Sequence, residues 1–130
     1  MTNPNVGVKD KWVEAVLSGD LDTVRTLCHP DFVLEQPKGL IYAGTYRGLD
    51  GFLLFLELFD DAYEIGKLEN TRTFFCDDPD VIVLEFAFHG TMKSTGEAFR
   101  TSQLEHWFFR DSMVLGVRPH WFEMPALPAK

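Results

Sequence analysis

From Val81 to Lys93 the chain alternates in character: Ile82, Leu84, Phe86 and Phe88 are apolar, while Glu85, Ala87, His89 and Thr91 stand between them. Successive side chains of a strand leave opposite faces, so this period of two predicts a strand with its even face buried. Further candidate strands run over Ile65 to Cys76, Ala98 to Arg110 and Met113 to Phe122. They are punctuated by the acidic turn Asp77-Asp78-Pro79-Asp80, by Ser94-Thr95-Gly96-Glu97 and by Asp111-Ser112. Such short connections join antiparallel neighbours, so the second half reads as a meander.

The first half has a different rhythm. Val8, Trp12, Val13, Val16 and Leu17 recur at helical spacing, which predicts a helix from about Val8 to Leu17 broken by Ser18-Gly19. Asp20 is an N-cap for a short second helix, with Leu21, Val24, Leu27 and Cys28 on one face and Pro30 at its end. Phe32 to Gln36 alternates as a short strand, and a second extended piece lies near Ile41 and Tyr42. Leu49 to Phe59 is a third helix, so rich in Leu and Phe that little of it should face water. Helices followed by antiparallel strands predict an α+β domain with the helices on one face of the sheet. Residues 1–130 are read as one domain, with no repeat or linker, and the tail from Pro125 is simply an end.

Composition narrows the partners. With 20 Asp and Glu against 12 Lys and Arg, the formal charge is −8, opposite to what phosphate neutralisation requires, so neither nucleic acid nor an anionic membrane is expected. The apolar run Val13 to Leu17 is interrupted by Glu14 and too short for a signal core or a membrane span, and a cytoplasmic location is expected. Cys28 and Cys76 have no CxxC-type spacing and are read as free, buried thiols. His29, His89, His106 and His120 have no ligand spacing, so no metal is expected. The 12 Phe, 3 Trp and 3 Tyr are many rings for one small domain. A thick core, an apolar cavity or a buried subunit interface would account for them.

The runs SGDLDTVRTL (residues 18–27), HPDFVLEQP (29–37) and GTYRGLDGF (44–52), followed by a meander ending HWFEMP (120–125), resemble the SnoaL-like, ketosteroid-isomerase-like branch of the NTF2-like superfamily. The resemblance covers almost the whole chain. It implies a cone, in which a curved, mostly antiparallel sheet wraps around three N-terminal helices and encloses an apolar pocket. It also implies a homodimer formed through the outer face of the sheet. That fold hosts isomerases, cyclases, dehydratases, epoxide hydrolases and non-catalytic binders, so function must come from the site.

Carried over residue by residue, the resemblance predicts altered chemistry. The isomerases' Val-Glu-Asp-Pro-like run matches Leu34-Glu35-Gln36-Pro37, placing Gln36 where their aspartate shuttles a proton. An amide cannot take a proton from carbon at neutral pH. Their helix-one tyrosine falls on Trp12. Their Ile-Asp-His-Phe run matches Leu104-Glu105-His106-Trp107, so Glu105 keeps an acid there. Limonene-epoxide-hydrolase-like members have an Arg-x-Asp pair that corresponds to Gln103-x-Glu105, without the arginine. A 3-oxo-Δ5-steroid isomerase is therefore not expected.

The candidate catalytic residues are Glu105, Gln36 and His120. If odd positions of the penultimate strand face inward, Thr101, Gln103, Glu105, Trp107 and Phe109 share the interior, and burial would raise the Glu105 pKa. The bland alternative pairs Glu105 with Arg100 or Arg118, or leaves it half-exposed at the cone mouth. His106 alternates with Glu105 and points away. His89 and His120 point outward by the same logic, unless a bulge near Pro119 turns His120 in as a base. Trp12, Phe55, Phe59, Gln103, Trp107 and Trp121 are candidates to line a site for a small apolar ligand, although rings at these spacings are also ordinary core. Two classes stay open: a cofactor-independent acid–base enzyme, and a non-catalytic binding or dimerisation module.

Overall fold

The computed structural model describes residues 3–125, so the tail beyond Pro125 lies outside the described residues. The order is α1 (Asn5–Ser18), α2 (Leu21–Leu27), β1 (Cys28–Gln36), β2 (Gly44–Arg47), α3 (Gly48–Ala62), β3 (Tyr63–Phe75), β4 (Val81–Met92), β5 (Ala98–Arg110) and β6 (Met113–Trp121). One six-stranded sheet runs β2-β1-β6-β5-β4-β3. Strands β3 to β6 form the expected antiparallel meander, and β6 meets β1 in parallel. The α+β architecture is the three-helix cone with its curved sheet.

Local chemistry explains most of the boundaries. Gly19 closes α1 in the left-handed region at φ 75°, its N–H bonding back to Ala15 and Val16. Asp20 caps α2 as expected, accepting from Thr23 N–H at 3.2 Å and from the Thr23 hydroxyl at 2.6 Å. Asp111 and Ser112 both have positive φ, 53° and 59°, which is the backbone of a tight hairpin turn matched to strand twist. Gly116 is required by a close approach, since a Cβ there would sit 2.7 Å from the Val33 carbonyl oxygen of the parallel neighbour.

Four expectations need correction. Pro30 does not end α2, because the chain turns extended at Cys28 and Pro30 lies inside β1. The β1–β6 register shifts between Cys28 and Val33, so the proline falls where the ladder is interrupted and its missing N–H matters little. Ile41 and Tyr42 belong to a turn, and the second strand begins at Gly44. Helix α3 is less buried than its composition suggested, with Leu54 50% and Leu58 37% exposed. Cys28 and Cys76 are both free, but Cys76 is exposed.

The interior divides into two apolar clusters. Trp12, Phe32, Phe52, Ile82, Trp107 and Val114 are central to the larger one, beneath α1 and α2. The smaller comprises Leu40, Tyr42, Ala62, Tyr63, Phe88 and Met92, built from the turn after β1, the end of α3 and the sheet. Phe55 packs against both.

Candidate functional site

Strand register places the polar side chains of the interior. The even residues of β4 are buried, and Ile82, Leu84 and Phe86 stand opposite Trp107, Glu105 and Gln103 of β5. On the other side of β5, Gln103 faces Trp121 and Glu105 faces Pro119. Glu105 therefore lies inside, between Leu84 and Pro119, as the alternation of β5 predicted. It keeps partial solvent access. Its Oε1 accepts a hydrogen bond from Trp107 Nε1 at 3.1 Å. Burial pushes the carboxyl up to about 7, against the opposing pull of the indole N–H. Arg118 does not neutralise it, because that guanidinium bonds to Glu35 at 2.8 Å. Every other carboxylate among the described residues is exposed or, like Glu85, alternates onto the opposite face of its strand.

Gln36 ends β1. Leu34 is opposite Val117, and two residues further along this register Gln36 comes level with Pro119, the neighbour of Glu105. Two strand spacings, about 10 Å of backbone, separate Gln36 from Glu105 there. Gln36 is 9% exposed, and its Oε1 is buried with no hydrogen-bond partner. The buried Nε1 of Trp121 likewise has none. Both are atoms that a native interior normally satisfies.

Two tyrosines that sequence reasoning missed complete this end. The hydroxyls of Tyr42 and Tyr63 lie 3.0 Å apart, both side chains almost fully buried. Tyr46 fixes the turn by donating its hydroxyl to the Tyr42 carbonyl at 2.7 Å. Burial, followed by the neighbouring Tyr63 and Glu105, holds Tyr42 firmly in its neutral form. Burial also pushes Tyr63 up. Neither tyrosine stands in an alternating run that would have signalled it: Tyr42 is in an irregular turn, and Tyr63 sits at a helix–strand junction.

The other predicted residues divide. Phe55 and Phe59 approach Tyr42 with ring centroids 5.7 Å away, and Phe59 stacks on Phe88. Trp121 lies 5.9 Å from Phe88. Gln103 is 5% exposed on the same face. Trp12 packs in the larger cluster, 4.8 Å from Phe52 and 5.6 Å from Phe32, with Trp107 of the same cluster 6.3 Å away. His120 is corrected. It is exposed, stands opposite Leu104 on the outer face, and packs 4.9 Å from His106; no inversion at Pro119 brings it to Glu105. Burial, with the charges of His120 and Arg118, pushes His106 down.

The open grooves lie elsewhere. One of about 450 Å³ runs along Gly66, His89 and Phe99, and another of about 500 Å³ lies between α1 and Asn70. Among the described residues, no group of three His, Cys, Asp or Glu side chains is arranged to hold a metal ion. No helix among them is long and apolar enough to cross a membrane.

Comparison with known proteins agrees with this architecture. An NTF2-like protein from Burkholderia xenovorans superposes with a TM-score of 0.81 at 21% identity, over 93% of this chain and 91% of that one. TerC, co-crystallised with polyporic acid, gives 0.77 at 17% identity over 91% of each chain. A candidate SnoaL-like polyketide cyclase from Mesorhizobium loti gives 0.72 at 16% identity, over 92% and 99%. At these identities the likeness shows the fold. A sequence search of curated proteins finds no match. The family model for the SnoaL-like domain matches residues 10–116, and the chain belongs to that family.

Proposed function

We propose that the protein is a cofactor-independent acid–base enzyme acting on a small apolar molecule in the interior of the cone, with Glu105 as the group that moves the proton. The observation that carries this reading is a carboxyl on the interior face, without a cationic partner, whose pKa is pushed up to about 7. A group poised there is present in both protonation states near neutrality, so it can give or take a proton. Gln36, lacking a titratable proton, would orient the substrate, and Phe55, Phe59, Gln103, Trp107 and Trp121 would surround it. A candidate polyketide cyclase and TerC with polyporic acid share the fold, which suits a small ring-bearing ligand. A homodimer in the cytoplasm is part of the same reading.

The second reading, a non-catalytic binding module, is favoured by one observation: the strand position where an isomerase of this fold holds its base is the amide Gln36. Proton exchange separates the two. With 1-tetralone as a small apolar ketone in D2O near neutrality, the wild-type chain should accelerate deuterium entry at the carbon beside the carbonyl. Glu105→Gln should lower that rate by about 100- to 10,000-fold, the range usual for general acid–base catalysis. Absence of exchange above buffer, or equal rates in the two proteins, would reject the catalytic reading.

A further inference from the structure

The outer face of the sheet holds a pair of imidazoles that the interior chemistry does not use. Across β5 and β6, His106 stands opposite Arg118 and Leu104 opposite His120, so the two histidines are diagonal neighbours on one face. Their ring centroids lie 4.9 Å apart with the planes at 78°. His120 is exposed, while His106 is half-buried, its ring 6.4 Å from Phe108. The Nδ1 atom of His106 is buried and has no hydrogen-bond partner. Of the three such side-chain atoms among the described residues, it alone belongs to the outer face. The spacing of the rings suits a shared ion. An ion bound to an imidazole nitrogen at about 2.0–2.1 Å lies about 3.2 Å from the ring centroid, so rings 4.9 Å apart subtend about 100° there. That is close to the tetrahedral angle. Stacked rings carry their lone pairs in parallel planes and cannot aim them at one point, whereas planes at 78° intersect. Charge does not oppose a cation here, because Arg118 is paired with Glu35 at 2.8 Å and the chain carries a formal −8.

We propose that His106 and His120 chelate one divalent transition-metal ion of the zinc, nickel or copper type on the outer face, with the orphan Nδ1 of His106 as one ligand. Imidazole suits these borderline ions, whereas magnesium and calcium take oxygen. The exposed His120 turns a ring nitrogen to the ion, and water fills the remaining positions. The site therefore has two protein ligands and stays open. Coordination supplies the partner that His106 Nδ1 lacks. It also clamps β5 to β6 behind Glu105, since His106 follows Glu105 in the chain and leaves the opposite face. No sequence spacing announces the site, because strand pairing alone brings the two rings together.

Calorimetric titration of the whole chain with Zn2+ tests this. The wild type should bind one ion per chain, and excess Mg2+ should not displace it. His120→Ala, at an exposed position, should fold normally and weaken zinc binding at least about tenfold, because a second ligand held in place acts at high effective concentration. His106→Gln should weaken it as much. Glu105→Gln, His89→Ala and Cys76→Ser should leave it unchanged, which separates the site from the interior carboxyl, from the imidazole of β4 and from the exposed thiol. Zinc should also raise the thermal midpoint of the wild type and not that of His120→Ala, a response that packing of the two rings alone would not give. Absence of zinc binding, equal affinity in the wild type and His120→Ala, or a loss in His89→Ala or Cys76→Ser as large as in His120→Ala overturns the inference. The acid–base reading of the interior stands or falls separately, by the exchange experiment.

Discussion

The two ends of the interior contain similar rings with different company. Under α1, Trp12, Phe32 and Phe52 interlock with centroids 4.8 to 5.6 Å apart, and their neighbours Ile82, Leu84 and Val114 are sealed from solvent. At the other end, Phe55, Phe59 and Phe88 pack at similar spacing, but Tyr42, Tyr63 and Trp121 are among them, and Gln103 and Glu105 stand at the boundary, opposite Phe86 and Leu84 of the first cluster. The first arrangement maximises dispersion and apolar burial. The second gives up some of that stability by enclosing polar atoms that the fold itself does not satisfy. One end is closed apolar packing, and the other encloses polar atoms left without partners, Gln36 Oε1 and Trp121 Nε1.

The largest expected effect belongs to the sealed end. Phe32 is 1% exposed, and Phe32→Ala should lower the unfolding free energy by about 3–5 kcal/mol, through lost burial plus the cavity left behind. Trp121→Phe should change stability by less than about 1 kcal/mol, because it removes an unsatisfied donor and keeps a ring. Urea titration of both variants checks this. A Trp121→Phe loss comparable to that of Phe32→Ala would mean that both ends are simply core.

Next in size is the pH dependence of Glu105. Its folded pKa, about 7, lies above the ordinary 4.5, so between those values the native state holds a proton that the unfolded chain has released. Stability from this group is present below about pH 4.5, is lost as pH rises toward 7, and is level beyond. Glu105→Gln removes the titration. Measured against the wild type, the variant should gain up to about 3 kcal/mol in relative stability between pH 5 and pH 8. A constant difference across that range would show that the carboxyl is not held in its neutral form by burial.

Gln36 gives a smaller effect. Replacing it with a similarly shaped apolar side chain, Gln36→Met, should be neutral or stabilising by up to about 1 kcal/mol, since its buried Oε1 has no hydrogen bond to lose. A clear destabilisation in thermal unfolding would place Gln36 among the structural polar residues instead.

What could be read from the sequence follows the same division. The phase of β4 fixes which residues of β5 point inward, because the pairing of Leu84 with Glu105 joins like faces; this is why Glu105, Gln103 and Trp107 were legible. The outward placement of His120 follows from the same phase, unbroken at Pro119. For Trp12 the helical spacing says that the ring is buried, without saying against which partners. The Tyr42–Tyr63 pair was invisible because it depends on a turn and a junction meeting across the fold, with no period to announce it. Pro30 misled for a related reason, since only the interrupted β1–β6 ladder makes room for a proline in that strand.

The smallest expected effect tests the division between inside and outside. His120 is an exposed imidazole on the outer face, packed near His106 and joined to no carboxylate among the described residues. His120→Ala should move stability by no more than about 0.5 kcal/mol, as is usual for surface substitutions. It should also leave deuterium exchange into 1-tetralone unchanged, because a side chain behind the sheet has no path to a substrate held beside Glu105. An exchange rate lowered as far as that of Glu105→Gln would place the working base on the outer face, and the polar interior would then have to be explained without catalysis.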